Sequence, residues 1–198
     1  MEPVRIVQGR AVPLPRSDVD TDQIIPSDWL KRVERTGFEK GLFSEWRDDP
    51  NFVLNDERYS GANILIAGPN FGVGSSREHA VWALQQSGFQ AVVSARFGDI
   101  FRNNSVKCGL LPVEVTAEFA SQLMELVAEN ADLELTIDLA SRTIEAPEAG
   151  ISESFNIDET SAQRLIEGLD DIGLTLRHEA QITTYENTRP AWLPSLSS

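Results

Sequence analysis

An α/β domain with a partly parallel, mixed sheet and flanking helices is predicted by three features of the chain. Residues 63–67 and 91–95 are short apolar runs bounded by turn residues, with the length of buried strands. Between them, residues 75–87 carry Ala80, Val81, Ala83 and Leu84 at helical spacing and stop at Gly88. Strand, helix and strand in that order form a βαβ unit, whose right-handed crossover makes the two strands parallel. The length of 198 residues, 41% of them hydrophobic, then suffices for one domain, residues 1–198, with a sizeable core.

The elements follow in chain order. Residues 4–7 and 10–14 flank Gln8 and Gly9 and read as a short hairpin ended by Pro13 and Pro15. Residues 33–60 are rich in glycine, charge and aromatics without a sustained period, so about 30–60 reads as a long loop or a partly helical excursion. A loop of that length is either functional or mobile, or else a poorly ordered insertion. After the βαβ unit, residues 97–109 read as a short helix ending at Gly109 and residues 110–115 as a strand. Phe119, Leu123, Leu126 and Val127 give residues 117–129 an apolar face behind Thr116 as cap. Residues 132–146 alternate as a hairpin does, and a last helix runs from about 158 to 169 with Leu165, Ile166 and Leu169 inward. The tail after Arg189 reads as frayed.

Charge narrows the function. Lys and Arg number 17 against 31 Asp and Glu, and the excess sits in one half: residues 1–110 hold 13 against 14, residues 111–198 hold 4 against 17. Such an acidic half repels phosphate backbones and anionic membranes, so neither nucleic acid nor membrane is an expected partner. An anionic small substrate belongs in the balanced first half. Cys108 is the single cysteine, which excludes an internal disulfide and any cluster or structural zinc held by this chain's own thiolates, since those take about three or four. No basic stretch precedes an apolar one at the start and no window approaches a span of ~18 apolar residues, so the reading is a cytoplasmic protein.

The stretch GPNFGVGSSREH, residues 68–79, concentrates the chemistry. A dinucleotide fingerprint would need glycine where Arg77 stands, and a phosphate loop from Gly68 meets Val73 and Gly74 where Gly and Lys belong. A hydrolase elbow centred on Ser76 ends in Glu78. What remains is a strand, a glycine-rich turn and a helix start, where free N–H groups and the helix dipole favour an anion and where Arg77 adds a fork suited to a carboxylate. Ser75 reads two ways: with Glu78 it has the spacing of a capping box, and the same N–H groups would also make its alkoxide tolerable as a base. His79 reads as a hydrogen-bonded structural residue, and His79 with His178 does not make a metal site. Asp18, Asp20 and Asp22 mimic the opening of a calcium loop, but Gln23 and Trp29 stand where glycine and glutamate are required. On an extended segment the three carboxylates share a face, turned either to a common site or to solvent and turn capping.

NFGVGSSREHAVWAL, with DVDTDQIIP, RTGFEKGLF, EWR, FVLN and FGDIFRNNSVKCGLLP in the same order, closely resembles the small subunits of 3-isopropylmalate dehydratase, in the aconitase superfamily. The match runs from about Gly9 to Val115, and IDETSAQRLIEGLDDIGLTL is also typical of them. The resemblance implies a swivelling β/β/α domain that binds no cofactor itself and docks on a large subunit carrying a [4Fe–4S] cluster. It implies isomerisation of 2-isopropylmalate and 3-isopropylmalate through 2-isopropylmaleate, a hydro-lyase step of leucine biosynthesis on a small hydroxy dicarboxylate. By similarity Ser75 matches the catalytic base and Arg77 the arginine that binds a substrate carboxylate. Ser76 and Asp22 join them as substrate-binding candidates, as do Leu30 toward an isopropyl group and Lys31 or Arg32 toward a carboxylate, unless these charges only solvate a loop. Val73 departs from the Cys or Thr of many relatives and is expected to tune the packing of the turn. The alternatives are a small subunit acting on 2-methylmalate or homocitrate, and a non-catalytic binding subunit.

Overall fold

The computed structural model describes residues 1–31, 34, 36–190 and 192–193. Seven strands form one mixed sheet in the order β4-β3-β2-β1-β5-β6-β7. The parallel half is β1 (Ile6–Leu14), β2 (Ile64–Ala67), β3 (Ala91–Ser94) and β4 (Leu111–Glu114). The antiparallel half is β5 (Glu134–Asp138), β6 (Thr143–Ala146) and β7 (Ile151–Ser154), joined to the first through β1. All four residues of β2 and of β3 are buried, as continuous apolar runs in a parallel sheet must be.

The expected hairpin at Gln8 and Gly9 does not form. Residues 6–14 are one strand, and β1 changes partner along its length: Ile6–Arg10 pairs antiparallel with β5, and Ala11–Leu14 pairs parallel with β2. Gly9 marks the change because the Asn63 side chain crosses there; Asn63 Nδ2 donates to the Gln8 carbonyl at 2.9 Å, and a Cβ on Gly9 would lie 2.2 Å from Asn63 Oδ1. The glycine answers a neighbour 54 positions away, which a local turn rule cannot register.

Helices α2 (Glu78–Gln86) and α3 (Asp99–Cys108) are the crossovers β2-α2-β3 and β3-α3-β4 and pack on each other. Gly109, left-handed at φ 89°, ends α3 as expected. Helix α4 (Ala117–Glu129) packs across β1, β2 and β3 with Phe119, Ala120, Leu123 and Val127 buried, and Thr116 caps it by accepting from the Phe119 N–H at 3.2 Å. Helix α5 (Glu159–Glu167) is capped by Asp158 and buries Ala162 and Leu165. Of the strands and α-helices, four lay outside the sequence reading: α1 (Thr21–Ile24), β7, α6 (Asp171–Leu176) and α7 (Glu179–Asn187), and no residue of α6 or α7 is buried. Most of the stretch past Arg189 read as frayed lies outside the described residues.

Residues 36–60 are a packed excursion. Short 3-10 turns at Phe38–Gly41, Val53–Asn55 and Glu57–Tyr59 alternate with buried Phe38, Leu42, Phe43, Phe52 and Tyr59. Phe43 and Trp46 stack at 5.2 Å, and the Arg16 guanidinium lies 4.1 Å from the Trp46 ring centroid. Arg47 Nη1 donates to the Leu54 carbonyl at 2.6 Å while Asn55 Nδ2 donates back to the Arg47 carbonyl at 2.9 Å. The tryptophan, arginine and asparagine of EWR and FVLN therefore serve this packing.

Candidate active site

The loops that leave the C-terminal ends of the parallel strands meet at one edge. Val19 is the hub: its carbonyl accepts from the N–H groups of Gly72 at 2.8 Å and Val73 at 3.2 Å. The Thr21 N–H donates to the Val73 carbonyl at 3.0 Å, and the Asp18 N–H donates to the Pro69 carbonyl at 2.9 Å. From the third loop, the Arg96 carbonyl accepts from Phe71 N–H at 3.0 Å, and Gly98 N–H donates to the Phe71 carbonyl at 2.9 Å. Gly72 permits this convergence. Its φ of +74° belongs to the left-handed region, and a Cβ there would sit 2.2 Å from Cγ of buried Phe101. Val73 is half-buried within the lacing.

Ser75 and Ser76 emerge from this turn exposed, ahead of the helix and not within it. The N-cap of α2 is Arg77, in extended conformation with φ −96° and ψ 108° and without a side-chain cap bond, so the capping box of Ser75 and Glu78 is absent. The reason lies in the Ser75 backbone: its carbonyl accepts from the Thr21 hydroxyl at 3.1 Å and from the Arg77 N–H at 2.9 Å, a tight turn that stops the helix from starting earlier. Among the described residues the Ser75 hydroxyl bonds to nothing. Arg77, its side chain 18% exposed, pairs through Nη1 with Asp22 Oδ1.

The three aspartates do separate things. Asp18, left-handed at φ 55°, accepts from Asn70 Nδ2 at 2.7 Å. Asp20 caps α1, accepting from the N–H groups of Asp22 and Gln23, with the Gln23 side chain closing a capping box. Asp22 is the one of the three that pairs with Arg77. The shared face expected of an extended segment is lost because Asp18 turns the chain and Thr21–Ile24 is helical. Thr21, buried and hydrogen-bonded to Ser75, was not singled out from the sequence; a threonine between aspartates carries no local signal of a contact 54 residues away.

The other candidates stand apart. Leu30 is half-buried and Lys31 exposed, both in the 3-10 turn Ser27–Lys31; Lys31 pairs with Asp28 at 2.9 Å, which holds the Asp28 carboxyl below its ordinary value and the Lys31 ammonium above its own. Arg32 lies outside the described residues. His79 meets Trp82 at 4.7 Å and Phe38 edge-on at 5.3 Å, so ring packing, in place of the expected hydrogen bond, holds it, and burial lowers its pKa. Burial pushes the Cys108 thiol up, and among the described residues no group of three His, Cys, Asp or Glu is placed to hold a metal ion. Neither the cavity of about 580 Å³ beside Phe52 and Met124 nor that of about 500 Å³ beside Phe89 and Cys108 is lined by residues 71–77. The glycine turn presents Ser75 and Ser76 on the surface and leaves the Arg77 side chain partly covered.

A parallel half whose loops carry a serine and an arginine on such a surface places the chain in a class: residues 1–118 match the model of the aconitase C-terminal domain. Residues 171–196 match the C-terminal domain of 3-isopropylmalate dehydratase small subunits. A 3-isopropylmalate dehydratase small subunit of Frankia alni is 61% identical over 195 residues, 98% of this chain and 99% of that one. Another, of Rubrobacter xylanophilus, is 56% identical over 194 residues and 98% of each chain. The crystal structure of a 3-isopropylmalate dehydratase from Methanocaldococcus jannaschii superposes with a TM-score of 0.66 at 26% identity, covering 90% of this chain and 99% of that one. The chain belongs to the 3-isopropylmalate dehydratase small-subunit family, a hydro-lyase family.

Proposed function

We propose that this chain supplies one wall of the active site that interconverts 2-isopropylmalate and 3-isopropylmalate through 2-isopropylmaleate in leucine biosynthesis, the other wall coming from a large subunit. One observation carries the reading: an uncommitted, exposed Ser75 hydroxyl two residues from Arg77, on a strip that lines neither the cavity beside Phe52 nor that beside Phe89. A site of this kind needs a second surface to exclude water around the reaction. The donor set of this chain does not fit an iron–sulfur cluster, because its single thiol is half-buried with a raised pKa. The proposal leaves the cluster to the large subunit, and this chain's own residues bind the substrate and move the proton. Arg77 binds a substrate carboxylate, and the Ser75 alkoxide takes the proton from the carbon next to that carboxylate as the C–O bond on the neighbouring carbon breaks. The hydroxide leaves toward the large subunit, whose cluster would supply the Lewis acid for it. On rehydration hydroxide adds to one alkene carbon and Ser75 returns its proton to the other. An Arg–carboxylate bond contributes about 1.5–3 kcal/mol, and more where charge builds up on that carboxylate. Ser76 and Leu30, the latter toward the isopropyl group, complete the proposed substrate contacts, with Lys31 or Arg32 toward a carboxylate. No helix among the described residues is long and apolar enough to cross a membrane, and the proposed location is the cytoplasm.

The test is reconstitution. The purified chain alone is inactive; mixed with its cluster-bearing large subunit it interconverts the isopropylmalates, followed by the absorbance of the alkene intermediate. Ser75→Ala lowers the rate at least a hundredfold, about 2.7 kcal/mol of barrier. Because Ser75 caps nothing, the melting temperature of the chain stays where it was. Full activity in that variant removes the base assignment, and faster turnover of 2-methylmalate or homocitrate reassigns the substrate.

A further inference from the structure

Thr21 and Asp22, adjacent in the first turn of α1, each address one of the two residues assigned to the chemistry. The Thr21 hydroxyl holds the Ser75 carbonyl, and the Asp22 carboxylate holds the Arg77 guanidinium. Asp22 differs from its neighbours in this respect, since Asp18 is bound by Asn70 and Asp20 by the helix it caps. A guanidinium at the first turn of a helix is also electrostatically misplaced, because the positive end of the helix dipole repels it. Arg77 occupies that place as the N-cap of α2 and needs an opposing charge to stay oriented.

The contact is one-cornered. Asp22 engages Nη1, and among the described residues Arg77 makes no other side-chain hydrogen bond, so the edge formed by Nε and Nη2 keeps its two parallel donors open. That edge has the spacing a carboxylate accepts. The substrate of the proposed reaction is a dianion, which a second carboxylate repels at contact distance. From these three points we infer that Asp22 is a positioning residue: it holds Arg77 by one corner and presents the opposite edge to the substrate, in place of the direct substrate contact that the sequence suggested. The inference rests on the assignment of Arg77 to a substrate carboxylate.

A double-mutant cycle on the reconstituted enzyme tests it. Asp22→Asn raises KM about tenfold and changes kcat by less than about threefold, because the lost orientation acts on substrate binding. Arg77→Lys lowers kcat/KM by itself, and adding Asp22→Asn to it changes kcat/KM by less than about twofold, since the orienting group then has no fork to orient. The melting temperature of Asp22→Asn stays within about 3 °C of the parent, because the Asp22 side of the pair is open to solvent. Equal losses from Asp22→Asn in both backgrounds overturn the proposal in favour of direct contact with substrate. An unchanged KM in Asp22→Asn alongside a damaged Arg77→Lys overturns the proposal and leaves the Arg77 assignment standing. Unchanged kinetics in Arg77→Lys remove that assignment and this proposal together.

Discussion

The two halves of the sheet share β1 and little else in character. In the parallel half every strand ends at the same edge, because each crossover helix returns the chain to the far side. The loops at residues 15–22, 68–77 and 95–98 are thereby gathered into one laced surface, and the proposed base and carboxylate-binding arginine stand on it. In the antiparallel half, successive strands reverse, so their short turns fall at alternate ends and no two are brought together. The surplus of acid, in residues 111–198, takes in the whole antiparallel half together with β4 and α4. Parallel topology concentrates loops, and a site that needs groups from several loops belongs where the topology concentrates them. The antiparallel half contributes core: Leu135, Ile137, Ile144 and Phe155 are buried.

Three substitutions set this division at risk. The largest effect is expected from Gly72→Val, which forces a β-branched side chain into a left-handed φ of +74° and against Phe101. The three laced loops separate, reconstituted activity falls more than a hundredfold, and thermal melting shows a loss of about 2–4 kcal/mol. Ile137→Ala, in the other half, costs about 2–5 kcal/mol in urea unfolding through the cavity it leaves. Yet kcat/KM, measured where the variant is still folded, stays at the parental value; a fall in kcat/KM would show that the halves are coupled and break the comparison. The smallest effect is Asp158→Ala, which removes the cap of α5 and costs about 1 kcal/mol at neutral pH. Hydrogen bonds from Ser161 hold the Asp158 carboxyl below its ordinary 3.8, so the cap's contribution is complete above that value and disappears as pH falls through the lower folded value. Unfolding curves of parent and variant should converge in acid and leave catalysis at neutral pH untouched.

Much of the parallel half was legible because its signals are local. Strands β2 and β3, helices α3 and α4, the Thr116 cap and the Gly109 stop all follow from apolar spacing and from turn chemistry within a few residues. Ser75 and Arg77 were legible as residue types, in motifs shared with a known family. The start of α2 was misplaced by three residues because Thr21 takes the Ser75 carbonyl out of the helix. The excursion at 36–60 was illegible for a related reason: its order comes from Phe43, Trp46 and Phe52 packing on one another and from Arg16 laid over them, with no periodicity to announce it.

By itself, then, the amino-acid order determined which segments bury apolar surface, about where α3, α4 and α5 begin and end, and which side chains are chemically equipped to grip a carboxylate. Those properties depend on neighbours three or four residues away. Only the tertiary structure decided that β1 is a single strand serving two sheet halves, that Asp22 pairs with Arg77, and that Ser75 stands free of the helix. Each of these is set by a group more than fifty residues distant or by the loss of an expected local bond, and no window of the sequence contains both partners.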